Sequence, residues 1–192
     1  MSASEAHLVA GLRDLAELAN RVADRMASDL DVALTMVRET VAAGGTIFFC
    51  GNGGSAADAQ HMATEYVVRY SRSRRPLPAI ALTTDTSLLT AGANDLGFDE
   101  IFARQIEALA RAGDVLVLHS TSGESPNVVR AAQTAKVKGV TVVAFLGKSG
   151  GALKDLADHS LVVPSDETSH IQELHLALEH IICGMVERAL AL

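Results

Sequence analysis

Leu8, Leu12, Leu15, Leu18 and Val22 recur at helical spacing, and Val32, Leu34, Val37 and Val41 resume the pattern after a break at Asp29 and Asp31. This predicts two helices over about Glu5–Ala43, the second stopped by Gly44-Gly45. From Thr46 the period changes. Short apolar or β-branched runs at Thr46–Cys50, Ala79–Leu82, Val115–His119, Val140–Phe145 and Ser160–Val163 predict strands. They alternate with helical stretches at Ser55–Tyr70, Thr86–Ala93, Asp99–Arg111, Ser125–Lys138, Ala152–Leu156 and Ser169–Leu190, with Ser169 as N-cap of the last. Such alternation indicates an α/β fold, a five-stranded parallel sheet wound into a three-layer αβα sandwich behind an N-terminal helical pair. Ligands in such folds sit at the carboxyl ends of the strands. The first two helices have no strands of their own. Their apolar stripes call for burial against a second subunit, or else on the chain's own sheet.

The chain has 192 residues, 48% of them hydrophobic and 20% charged, and reads as one domain over 1–192, with helices in 1–44 and the sandwich in 45–192. A net charge of −7 lacks the basic footprint of nucleic-acid binding, so no nucleic-acid partner is expected. No apolar run reaches a membrane-spanning length, and the first residues lack the pattern of an export signal. Two cysteines, Cys50 and Cys183, make no disulfide framework, which points to a reducing cytosol. Arg69–Arg75, closed by Pro76 and Pro78, reads as a surface loop, a solvated turn for most of its arginines.

Two strand-to-helix loops carry chemistry. Gly51-Asn52-Gly53-Gly54-Ser55 lets backbone approach a ligand closely, and the helix N-terminus that follows favours anions; it matches neither the dinucleotide fingerprint nor the P-loop. Ser120-Thr121-Ser122-Gly123-Glu124-Ser125 sets four hydroxyls around a glycine, more than a helix cap needs, and suits a phosphate monoester. Glu124 fits such a seat only if it points away. His61 and Glu65 lie at i and i+4 on one helix face. Gln172 and His180 lie eight residues apart on the last helix, about 80° around its axis. The four could hold a Zn²⁺ or form an acid–base pair, and His175 competes with His180 for either role. His119 ends a strand beside the hydroxyl loop and either lines the site or is packed. His7, His159 and His170 have no such company. Asn94 and Asp95 read as ordinary turn residues.

CGNGGSAADAQH with Glu65, then LTTDTS, AND, STSGxS and HIQELHLALEH, in that order, resembles the phosphoheptose isomerases of the sugar-isomerase (SIS) superfamily, from about Ala42 to Glu187. The resemblance implies conversion of D-sedoheptulose 7-phosphate to D-glycero-D-manno-heptose 7-phosphate in the cytoplasm. It also implies a homotetramer with active sites between subunits and N-terminal helices in the assembly core. On this resemblance Ser55, Ser120, Thr121, Ser122 and Ser125 hold phosphate. Asn52, Gly53, Gly54, Asn94 and Asp95 contact the sugar or shape its pocket, and Gln172 also binds substrate. Glu65 and His180 are the acid–base residues, and His61, Glu65, Gln172 and His180 match zinc ligands, one ion per subunit. The alternative readings are a non-catalytic regulator of the DnaA initiator-associating type, which lacks counterparts of Glu65 and His180, and an isomerase of another sugar phosphate.

Overall fold

The computed structural model describes residues 3–190. The chain runs α1 (Ala3–Arg25), α2 (Ala27–Ala42), β1 (Ile47–Gly51), α3 (Gly54–Val67), β2 (Ala79–Ala81) and α4 (Thr86–Leu96). It continues through a 3₁₀ turn (Phe98–Glu100) into α5 (Ala103–Leu109), β3 (Val115–Ser120), α6 (Pro126–Val137), β4 (Thr141–Gly147), α7 (Gly151–Leu156), β5 (His159–Val163) and α8 (Thr168–Ala189). The strands form one parallel sheet in the order β2-β1-β3-β4-β5. Successive strands leave β1 in opposite directions, so the switch point falls between the carboxyl ends of β1 and β3. The glycine loop and the hydroxyl loop meet there.

Both faces of the sheet are covered. Phe48, Cys50, Leu116, Leu118, Val142 and Ala144 face α5, α6 and α7, while Phe49, Val117, Val143 and Phe145 face α2, α3 and α8. Burial on both faces is why β1, β3 and β4 read as continuous apolar runs rather than alternating ones.

Several boundaries differ from the sequence expectation. The N-terminal helices break at Met26, not at Asp29 and Asp31, because Met26 is buried at the bend while the aspartates stay in α2. α2 packs on the chain's own sheet through Ala33, Val37 and Val41. By contrast, Leu8 and Leu12 of α1 are 70% and 72% exposed. The helix expected over Asp99–Arg111 is interrupted. Gly97 ends α4 at φ 97°, and Ile101 and Phe102 turn into the core before α5 begins. α8 starts one residue early, and Glu167, not Ser169, is its N-cap: the Glu167 carbonyl already accepts from Ile171 N at 3.0 Å. Among the described residues no helix is long and apolar enough to cross a membrane.

Candidate active site

α3 and α8 pack side by side and bring His61, Glu65 and His180 together. The His61 and His180 Nε2 atoms are 2.8 Å apart, and His61 Nε2 lies 3.5 Å from Glu65 Oε1. One ligand atom from each of the three residues falls within 4.8 Å of the others. At 2.8 Å one imidazole donates and the other accepts, so the facing nitrogens share a single proton. Burial, with the neighbouring His61, holds His180 below its ordinary value, which favours the neutral ring. Two imidazoles and a carboxylate are donors suited to a divalent metal ion, so the three residues form a possible metal-binding site. The side chains of His61 and Glu65 are 44% and 18% exposed, so the group lies at the surface of a single chain.

Gln172 lies elsewhere. A Cβ added to Gly54 would meet the Gln172 amide at 2.6 Å, which puts that amide against the start of α3. By helical rise, Gln172 is about 12 Å along α8 from His180. Its place is at the glycine loop.

The hydroxyl loop is internally braced. Gly123 N donates to Ser120 Oγ at 3.0 Å, Glu124 N to Ser122 Oγ at 3.2 Å, and Ser120 and Ser125 Oγ approach to 3.5 Å. A hydroxyl that accepts from an amide keeps its own O–H to donate. Gly123 (φ 69°) packs against the next loop so closely that a Cβ would lie 1.8 Å from Gly150 O. Glu124 turns away: its Oε1 accepts from Ala152 N at 2.9 Å, at the start of α7. The carboxylate that looked unfavourable beside a phosphate is committed to a neighbouring helix.

The two loops are joined by a residue absent from the sequence reading. Asn52 and Asn127 exchange amide hydrogen bonds of 2.8 and 2.9 Å across the switch point, and Asn127 is buried. Its only sequence signal was its place just after Ser125-Pro126, at the start of α6. Replacing Asn127 with Ala leaves the Asn52 amide unpaired at a part-buried position. The expected cost is roughly 1–3 kcal/mol of stability, measured by denaturant unfolding, with a raised KM as the loops lose their brace.

Other candidates separate clearly. His175 is buried, bonds Leu146 O at 2.9 Å and is pushed down to about 3 by burial, so it is a core residue and no rival to His180. His119 is packed: it meets Glu179 at 2.8 Å inside the core, a Coulombic contact without directed hydrogen-bond geometry. Burial alone would lower its pKa, but the Glu179 carboxylate raises it overall. His159 bonds Asp29 O at 2.8 Å, and the side chain of His7 lies outside the described residues. Asn94 and Asp95 are exposed and bonded to each other at 2.7 Å; they belong to the last turn of α4 rather than to a turn after it. Arg74 is no solvated arginine. Its side chain is fully shielded and pairs with Glu187 at 2.7 Å.

A model of the SIS domain matches residues 12–147. A phosphoheptose isomerase of Geobacter sp. (strain M21) is 51% identical over 183 residues, 95% of this chain and 95% of its own. Among solved structures, a phosphoheptose isomerase from Neisseria gonorrhoeae superposes with a TM-score of 0.91 at 38% identity, covering 96% of this chain and 98% of that one. Another from Francisella tularensis gives 0.93 at 34% identity, over 98% and 100%.

Proposed function

Because the chain belongs to the SIS-domain family, and within it to the phosphoheptose isomerases, we propose that it converts D-sedoheptulose 7-phosphate to D-glycero-D-manno-heptose 7-phosphate through an enediol. It is thus an aldose–ketose isomerase, acting at the first step of nucleotide-activated heptose synthesis. The observation that carries this reading is the meeting of Glu65 with His61 and His180 at the surface of the chain. An intact acid–base group favours the enzyme over a regulator of the DnaA initiator-associating type.

The reaction moves one proton between C1 and C2 and another between the two oxygens. Glu65 takes the carbon-bound proton and returns it to the adjacent carbon; a carboxylate poised this way suits general base work. His180, held neutral, takes and returns the oxygen-bound proton. Ser55, Ser120, Thr121, Ser122 and Ser125 hold the phosphate, with Glu124 turned aside. Asn52 is committed to Asn127 and so shapes the pocket through its backbone loop with Gly53 and Gly54. Gln172, beside Gly54, faces the sugar, and Asn94 and Asp95 are assigned to its far end. His61, Glu65 and His180 are also the residues that would hold a Zn²⁺, one per subunit, and a His180 nitrogen engaged with the ion would not be the one that takes the proton; of the two roles assigned to Gln172, its place favours substrate binding over ligation. Bound there, the ion would polarise the substrate carbonyl and stabilise charge on the enediolate oxygen.

The exposed group and the bare leucines of α1 support a homotetramer in which 1–44 forms the core and neighbouring subunits close each site. A single SIS domain acting in the cytoplasm, with lipopolysaccharide inner core as the usual destination, completes the reading. The test is an NMR assay with sedoheptulose 7-phosphate before and after chelation. We expect aldose formation that falls on chelation and returns with Zn²⁺. No conversion by the metal-loaded protein would sink the proposal.

A further inference from the structure

His180, Gly184 and Glu187 fall at i, i+4 and i+7, on one face of α8. The segment that leaves α3 crosses this face. Glu187 accepts from Tyr70 N (2.9 Å), Ser71 N (3.0 Å), Ser71 Oγ (3.0 Å), Arg72 N (3.2 Å) and Arg74 Nε (2.7 Å). One buried carboxylate therefore fixes the backbone of three consecutive residues. The result is that the Tyr70 ring lies over the His180 imidazole, with centroids 5.3 Å apart and planes 23° from parallel.

Gly184 explains how the ring fits. Glycine inside a helix costs about 1 kcal/mol against alanine, so its presence in α8 calls for a packing reason. A Cβ at 184 would lie 3.1 Å from Tyr70 Cε1 and 3.4 Å from Cδ1. The missing side chain leaves the space that the Tyr70 ring occupies.

We propose that Tyr70 is a positioning residue for the isomerase site: held by Glu187 and seated over Gly184, its ring fixes the orientation of the His180 imidazole toward His61 and Glu65. The inference rests on the reading that His180 belongs to the reacting group. It assigns the work to the face of the ring and none to the hydroxyl. An imidazole free to rotate about its side-chain bonds would meet His61 only part of the time. Residues that orient such groups typically carry effects of 10–100-fold on affinity or activity.

The experiment compares Tyr70→Phe, Tyr70→Leu and Gly184→Ala as full-length proteins. Each is measured for kcat and KM with sedoheptulose 7-phosphate, for Zn²⁺ affinity against a chromophoric chelator, and for Tm. Tyr70→Phe is expected to stay within about twofold of wild type on every readout. Tyr70→Leu is expected to lose roughly tenfold or more in kcat and in Zn²⁺ affinity, with KM little changed. Gly184→Ala is expected to lower kcat and Zn²⁺ affinity while Tm holds or rises, which separates ring displacement from a folding defect. Wild-type kcat and Zn²⁺ affinity in Tyr70→Leu would overturn the proposal, as would equal losses in the Leu and Phe variants. If wild type converts no sedoheptulose 7-phosphate, the functional reading fails, and the Zn²⁺ affinities alone decide the role of Tyr70.

Discussion

Glu65→Gln is expected to lower kcat about a thousandfold, within the range that general acid–base catalysis contributes, while the protein stays folded. Glutamine keeps the volume and one acceptor oxygen but cannot take a proton from carbon. The fold has little at stake, because the Glu65 side chain is 18% exposed and among the described residues its ion-pair contact is the 3.5 Å approach to His61. The helix is anchored independently: the Glu65 backbone carbonyl accepts from Arg74 at 2.7 Å whatever the side chain. Proton exchange in D₂O isolates the step. Wild type should wash solvent deuterium into the carbon-bound position of the substrate, and the variant should not. Loss of Zn²⁺ would also lower kcat, so metal content is measured on the same samples. A variant that binds Zn²⁺ as wild type does and still isomerises at the wild-type rate would remove Glu65 from the mechanism.

Strands buried on both faces announce themselves as apolar runs, which is why β1, β3 and β4 were legible to within one or two residues. The pairing of His61 with Glu65 was also legible, because helical spacing alone puts i and i+4 together. What brings His180 to them is the packing of α3 on α8 across 119 residues of chain, and no local period encodes that. The same limit hid Asn127, which meets Asn52 from 75 residues away. Arg74 is the exception among the exposed arginines of its loop for a related reason. A run of arginines between prolines looks solvated until a buried carboxylate arrives from α8 to claim one of them. Tyr70 gave only the weak signal of a lone aromatic among basic residues. Its use depends on a glycine more than a hundred positions later.

Removing the Glu187 carboxylate is expected to cost about 3–5 kcal/mol of stability, as read from Glu187→Gln. The Arg74 guanidinium lies between Glu187 and the end of α3, where it donates to the carbonyls of Glu65 and Tyr66 at 2.7 and 2.8 Å. The pair therefore ties the helix that carries Glu65 to the helix that carries His180. Both side chains are shielded, at 0% and 1% accessibility, so the variant strands a buried cation. Burial alone would raise the carboxyl pKa, but the amides of Tyr70 and Ser71, Arg74 and the Ser71 hydroxyl together bring it down to about 2. Because the folded pKa is depressed, the stabilisation is complete above the unfolded value of 4.5 and is lost as pH falls toward 2. The shift corresponds to about 3 kcal/mol, in line with the cost of breaking the pair. Denaturant unfolding of wild type and Glu187→Gln should thus show a wide gap at pH 7 that narrows steadily below about pH 5. A gap that stays constant down to pH 3 would mean that the carboxylate charge is not what holds the loop. Arg74→Met should cost a similar amount, and the double variant less than the sum of the two, since the second change removes a group already left without its partner.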